Sequence, residues 1–235
     1  MDELSANSPA GPEGSEVASA SALESYAWPL VALVLVILPQ VLVPARMRLG
    51  PPSIVPIIEA AVVLVLLAVA AKPGPVPRAA RPLVLSLFGA LLLANALAAV
   101  RLVALVLHGS LDSGAPLTVG RLLVAGAIVL VTNIVTFGLV YWQVDGGGPG
   151  GRLIHAAPYP DFQFPQTATE GLSPPDWQPR FPDHLYLSFT NVVAFSPTDT
   201  LPLTIRVKGL MALQSVISLA VLVVVLARVI NILPS

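Results

Sequence analysis

Five long runs at 28–44, 53–71, 83–108, 121–142 and 203–233 are built almost wholly from Ala, Val, Leu, Ile and other apolar residues. A hydrocarbon layer about 30 Å thick is crossed by about 20 residues of helix, and backbone groups left unpaired there cannot face lipid. The fold class these runs predict is an all-α integral membrane protein with five transmembrane helices. The third and fifth are long enough to tilt or project. Charge agrees with this reading, since only 11% of the 235 residues are charged where a soluble domain carries about 25%. A soluble enzyme is excluded. The 12 basic residues are scattered rather than gathered in a stripe, so no nucleic acid partner is expected. With no Cys in the chain, disulfides, thiolate nucleophiles and Cys-ligated metals are excluded as well.

The segments between the runs divide the chain into three parts. Residues 1–26 form an acidic tail rich in Ser, Ala, Gly and Pro, expected to be disordered. It has no basic residue, so the first run is expected to be an anchor rather than a signal peptide. Residues 27–108 are expected to form a peripheral three-helix bundle. Residues 119–235 hold the fourth helix, an extramembrane loop at 143–183, a short apolar stretch at 184–194 and the last helix. That stretch is too short to span, which is how a re-entrant segment reads, and Asp183 is placed to cap a helix starting at His184. A helix lying in the interface is the alternative.

Residues 185–204 read LYLSFTNVVAFSPTDTLPLT, with the last helix beginning at once. This segment resembles the pore module of tetrameric potassium-type channels: a short pore helix, a filter of the form TVGYGD, a Pro, then the inner helix. Leu185 and Tyr186 stand where that family has an aliphatic and an aromatic residue, Ser188 matches its usual Ser, Asp199 matches the acid closing the filter, and Pro202 and Thr204 match its Pro-x-Thr. The segment is also similar to bacterial membrane families that have LYxSFT…SPTD before a last helix but no established activity. The resemblance implies a homotetramer, because one such loop cannot enclose a pore. It places the filter at Ala194, Phe195, Ser196, Pro197, Thr198 and Asp199. Ser196 and Thr198 occupy the positions of the family's two glycines, and Pro197 lies between them. A potassium-type carbonyl ladder is therefore not expected. Hydroxyls, carbonyls and four Asp199 carboxylates around one axis would suit monovalent or divalent cations such as sodium or calcium. Asp199 capping a turn, and Phe195 with Pro197 closing the axis as a plug, are equally open.

On the last helix, Gln214 and Ser218 share a face that continues through Val221, Leu222 and Val225. This face is read either as a cavity above a hydrophobic gate or as glue between helices. Glu59, Arg101 and Gln40 are the costly polar residues inside the other runs. A Glu59–Arg101 pair with Gln40 nearby is expected to hold the first three helices together. Asn95, Thr132, Asn133 and Thr136 are expected to hydrogen-bond between helices.

No enzymatic constellation is present. His108, His155 and His184 are far apart in sequence, and the glycine run at 146–151 lacks the Lys and following helix of a phosphate loop, so it reads as a flexible exit from the membrane. No cofactor is implied. Membership of the channel class would put the acidic tail and the filter outside and the C-terminus inside. Arg46, Arg48, Arg121 and Arg228 would then face the cytoplasm against Lys72, Arg78, Arg81, Arg152, Arg180, Arg206 and Lys208 outside, which runs against the positive-inside rule. The weighting to Ala, Val, Leu and Pro points to a bacterial plasma membrane.

Overall fold

In the computed structural model of the chain, the described residues are 12–42, 54–70, 81–108, 118–153, 159–174, 177–196 and 199–232. The elements are α1 (Pro12–Leu42), α2 (Ile54–Ala70), α3 (Arg81–His108), α4 (Val119–Val144), α5 (Pro149–Leu153), β1 (Phe162–Gln163), α6 (Pro165–Ala168), α7 (Phe181–Val193), β2 (Leu201–Pro202) and α8 (Ile205–Ile232). The protein is mostly helical. Pro82–His108, Val119–Gly147 and Ile205–Ile232 are each long and apolar enough to cross a membrane, and Tyr26–Leu42 and Ile57–Ala68 are shorter apolar helices.

Two expected boundaries move. The backbone of residues 12–26, expected to be disordered, forms the first turns of α1. Pro12 suits the first helical position, Glu13 and Glu16 lie at the positive end of the helix dipole, and Ala is the strongest helix former. Residues 1–11 lie outside the described residues. The short helix starts at Phe181 rather than His184. Pro182 is tolerated in its first turn, and the Asp183 carboxylate accepts the Arg180 N–H three residues back, at 2.7 Å. Asp183 thus closes a helix that has already begun.

The hub of the fold is α4, which packs against α1, α3, α7 and α8. α7 runs antiparallel to it. The Phe181 ring meets Trp142 at a centroid distance of 6.0 Å, the Leu185 backbone lies against Gly138, and Ser188 Oγ donates to the Ile134 carbonyl at 2.7 Å. Extending this register sets Val193 level with Leu130, near the middle of α4, about 18 Å along the axis from Phe181. Seven residues, 194–200, separate the end of α7 from β2; in extended form they reach about 23 Å, enough to return to the starting level. There β2 pairs antiparallel with β1, Phe162 opposite Pro202 and Gln163 opposite Leu201. α8 then runs back along α4. Ser218 bonds to Asn133 at 2.8 Å, and seven residues further on Val225 packs against Gly126.

Among the described residues, three apolar clusters fill the interior. One joins α1, α2 and α3 to the Trp142 end of α4. A second joins the His108 end of α3, the start of α4 and the end of α8. The third joins Phe162 and Phe164 of the 159–174 segment to Phe137 and Tyr141 of α4, Leu187 of α7, and Val207 and Met211 of α8.

Candidate functional site

The segment singled out by sequence lies at the inner end of α7. The Ala194 N–H donates to the Thr190 carbonyl at 2.8 Å and closes the helix. At Phe195 the chain turns through a positive φ of 53°, a region that bulky side chains rarely adopt. Ala194, Phe195, Ser196 and Asp199 are all exposed on the surface of the single chain, while Pro197 and Thr198 lie outside the described residues. Thr200 is buried and donates to Asp199 Oδ1 at 3.4 Å. These residues therefore lie on the surface of the chain, at the tip of a helix that ends level with the middle of α4.

The face of α8 read as a cavity points the other way. Gln214, Ser218 and Val221 have no exposure at all, Val225 is buried against Gly126, and Leu222 is half-buried. Gln214 spends every hydrogen-bonding position inside the subunit. Its Oε1 accepts from Tyr141 Oη at 2.7 Å and Asn191 Nδ2 at 2.8 Å. Its Nε2 donates to Ser188 Oγ at 2.6 Å and to the Ser188 carbonyl at 3.2 Å. Ser218 Oγ donates to the Gln214 carbonyl and accepts from Asn133 Nδ2, and Asn133 Oδ1 accepts from Asn95 Nδ2 at 2.7 Å. This chain of amides and hydroxyls ties α3, α4, α7 and α8 together. The lining of an axis between subunits must come from the outside of a protomer, so the cavity reading of Gln214, Ser218, Val221 and Val225 gives way to the glue reading. The outward face of α8 carries Leu213, Val216, Leu219, Val223, Leu226 and Ile230 instead.

The expected Glu59–Arg101 pair does not form among the described residues. Glu59 is buried, and both its oxygens accept from Gln40 Nε2, at 3.0 and 2.9 Å, with Thr132 Oγ1 at 3.5 Å from the same nitrogen. Arg101 lies on the exposed face of α3. It follows Asn95, which faces α4, by six residues, and that spacing rotates it by about 120° away from the interior.

A second polar cluster, at the opposite end of α7, was not anticipated. Asp145 follows α4 directly and Asp161 precedes β1; both are buried. Asp145 Oδ1 accepts the N–H groups of Asp161 and Phe162, and its Oδ2 lies 3.0 Å from His184 Nε2. Asp161 accepts from the Gly146 N–H at 3.2 Å, Thr204 Oγ1 at 2.6 Å and Arg206 Nε at 2.7 Å. Arg152 Nη1 donates to the carbonyls of Trp142 and Asp145, at 2.9 and 2.7 Å, and so satisfies acceptors that the end of α4 leaves open. Burial pulls the Arg152 guanidinium below its ordinary range, and the neighbouring Asp145 opposes that pull. The glycine run read as a flexible exit is part of this cluster. Gly146 sits at φ 56°, where a Cβ would come within 2.9 Å of Arg152 Cγ, and its N–H is one of the Asp161 donors. Sequence offered little sign of it, because Asp145, Asp161, His184 and Arg206 have no motif spacing.

No model of a known family, no characterised protein and no solved structure matches this chain.

Proposed function

We propose that this chain is one subunit of a homotetrameric cation channel in a bacterial plasma membrane, with passive conduction through a filter at Ala194–Asp199. The observation that carries the reading is the placement of α7. It is a 13-residue helix, too short to span, whose C-terminal end stops level with the middle of α4 and is followed by the exposed residues Ala194, Phe195 and Ser196. Non-helical backbone at that depth is tolerated only where protein covers it or water fills a cavity. In the single chain Ala194, Phe195 and Ser196 are exposed. Further copies around an axis beside this loop meet both conditions. The negative end of the α7 dipole and the Asp199 carboxylates favour cations there. On this reading α1 and α2 join the other three long helices as spans, the tail and the filter face outward, and α7 is the pore helix.

A second reading is favoured by the outer face of α8. With Gln214 and Ser218 turned inward, the α8 residues available to an axis are Val216, Leu219, Val223 and Leu226, all apolar. An unbroken apolar lining dewets and blocks ions, which would make the assembly a non-conducting structural or accessory membrane protein. One preparation tests both readings. The purified chain is weighed as an intact complex from detergent and from lipid, then reconstituted in vesicles for cation flux. A tetramer with flux that Asp199→Ala reduces several-fold supports the channel. A tetramer without flux selects the second reading, and a monomer in both media rejects both.

A further inference from the structure

His184 is completely buried in the first turn of α7. Its Nδ1 lies 2.8 Å from the Arg180 carbonyl and its Nε2 lies 3.0 Å from Asp145 Oδ2. Both partners are acceptors. A carbonyl cannot donate, and Asp145 is surrounded as an ionised carboxylate, with two N–H groups on Oδ1 and the Arg152 guanidinium 3.8 Å from Oδ2. A neutral imidazole carries one N–H, so it would aim a lone pair at one of these two oxygens; only the imidazolium donates to both. We propose that His184 is a proton-binding latch: doubly protonated, it pins the first turn of α7 to the end of α4, and loss of the proton turns one of its two hydrogen bonds into a repulsive contact and loosens that joint.

Charged and aromatic groups surround this joint. From the end of α4 His184 faces Asp145, with Tyr141 a turn below, and α5 contributes Arg152 through Asp145. The segment at β1 contributes Asp161, whose N–H reaches Asp145, and the rings of Phe162 and Phe164, which pack on the imidazole at 6.1 and 5.2 Å. α8 contributes Arg206 through Asp161. From α1, the Tyr26 ring packs against Trp142 beside this cluster. On α7 itself Asp183 binds the Arg180 N–H, and Arg180 is exposed. Asp145, Asp161 and Asp183 are accompanied by Arg152, Arg206 and Arg180, so the latch rests on the two hydrogen bonds of the imidazole and not on a charge count.

The protonated ring donates to both the Arg180 carbonyl and Asp145 Oδ2, whereas the neutral ring donates to only one of them, so the joint is the stronger with the proton bound. Histidine is the side chain whose charge changes within the physiological range. If the chain conducts, the joint sets how α7 presents residues 194–199, so flux would follow the same titration; that consequence rests on the channel reading, whereas the latch does not.

The test uses the full chain in lipid nanodiscs, with His108→Gln and His155→Gln so that His184 alone reports. Nitrogen-15 spectra of labelled histidine are expected to show both ring nitrogens protonated at about pH 6, and thermal unfolding midpoints to fall by about 2–4 °C on going to about pH 8, the scale of one lost hydrogen bond in a chain of this length. The fall should vanish when His184→Gln is added. A neutral tautomer at pH 6 overturns the latch, as does an unchanged pH dependence in that variant. Should His184→Gln not fold, the nitrogen spectrum decides. Absence of flux at every pH would count against the channel reading and would leave the spectrum and the unfolding shift as they are.

Discussion

Asp145 and Asp161 hold each other's backbone: the Asp161 N–H donates to Asp145 Oδ1 at 3.0 Å, and the Gly146 N–H beside Asp145 donates to Asp161 Oδ2 at 3.2 Å. The Leu203 N–H also donates to the Asp161 carbonyl, at 2.8 Å. Buried carboxylates are tolerated only when their oxygens are paired, and these two pair by joining the end of α4, β1 and the start of α8. One joint made by two residues has a measurable signature. Asp145→Ala and Asp161→Ala are each expected to cost about 1–3 kcal/mol, through the buried donors they strand. Because both cut the same joint, the double variant should lose less than the two separate losses together. Unfolding of the four chains in one detergent measures this coupling, and strict additivity would show that the residues act separately.

Gly138 sets how closely α7 approaches α4. A Cβ added there would lie 3.2 Å from Leu185 Cα and 3.2 Å from Leu185 Cδ1, whereas one added at Gly89 on α3 would meet nothing within 4 Å. A helical Gly→Ala change in open space gains about 0.5–1 kcal/mol from the unfolded chain. Gly89→Ala is therefore expected to be neutral or slightly stabilising, and Gly138→Ala destabilising because backbone must move. Comparing the two unfolding midpoints checks this. Equal shifts would show that α7 yields freely.

How far the sequence could be read depended on whether a feature is local. The three spans, the last helix among them, follow from apolar length, and the short helix after residue 180 from Pro182 and Asp183, all of which act within a few residues. Asn95 and Asn133 were legible as interhelical groups because an amide inside an apolar run needs a partner. Which way a polar face turns was not legible. Gln214 and Ser218 have the spacing of a cavity lining and of a buried joint alike, and the difference lies in Tyr141, Asn191 and Ser188 on two other helices. The Asp145–His184–Asp161–Arg206 cluster was hidden for the same reason: its members lie as far as 61 residues apart, from Asp145 to Arg206. The expected Glu59–Arg101 pair does not form because Arg101 is turned to the exposed face of α3, and rotation about a helix axis is not fixed by a residue's position along an apolar run.

That last correction gives a contrast between two substitutions. Gln40 is the donor to the buried Glu59 carboxyl, while Arg101 stands on the exposed side of α3. Gln40→Leu should cost about 1–3 kcal/mol by leaving a buried carboxyl without its donor. Arg101→Gln should stay within about 0.5 kcal/mol, as surface changes usually do. Unfolding in detergent ranks the two, and a larger loss for Arg101→Gln would restore the ion pair.

Gln214 separates a joint from a pore lining most directly. It has no exposure and meets Tyr141, Ser188 and Asn191 with both ends of its amide. Gln214→Leu keeps the bulk and removes the amide, stranding the Tyr141 hydroxyl and one N–H of the Asn191 amide, whose Nδ2 keeps the Met211 carbonyl as an acceptor. The expected loss is about 1–3 kcal/mol of stability, at the lower end if the membrane-unfolded state finds other partners. Tyr141→Phe leaves Gln214 Oε1 with Asn191 Nδ2 as its donor and should cost less. In vesicles of equal protein content, any flux per amount of folded protein should be little changed by Gln214→Leu, because the side chain points away from the outer surface of α8. A change of ion selectivity with stability unaltered would return Gln214 to the conduction path.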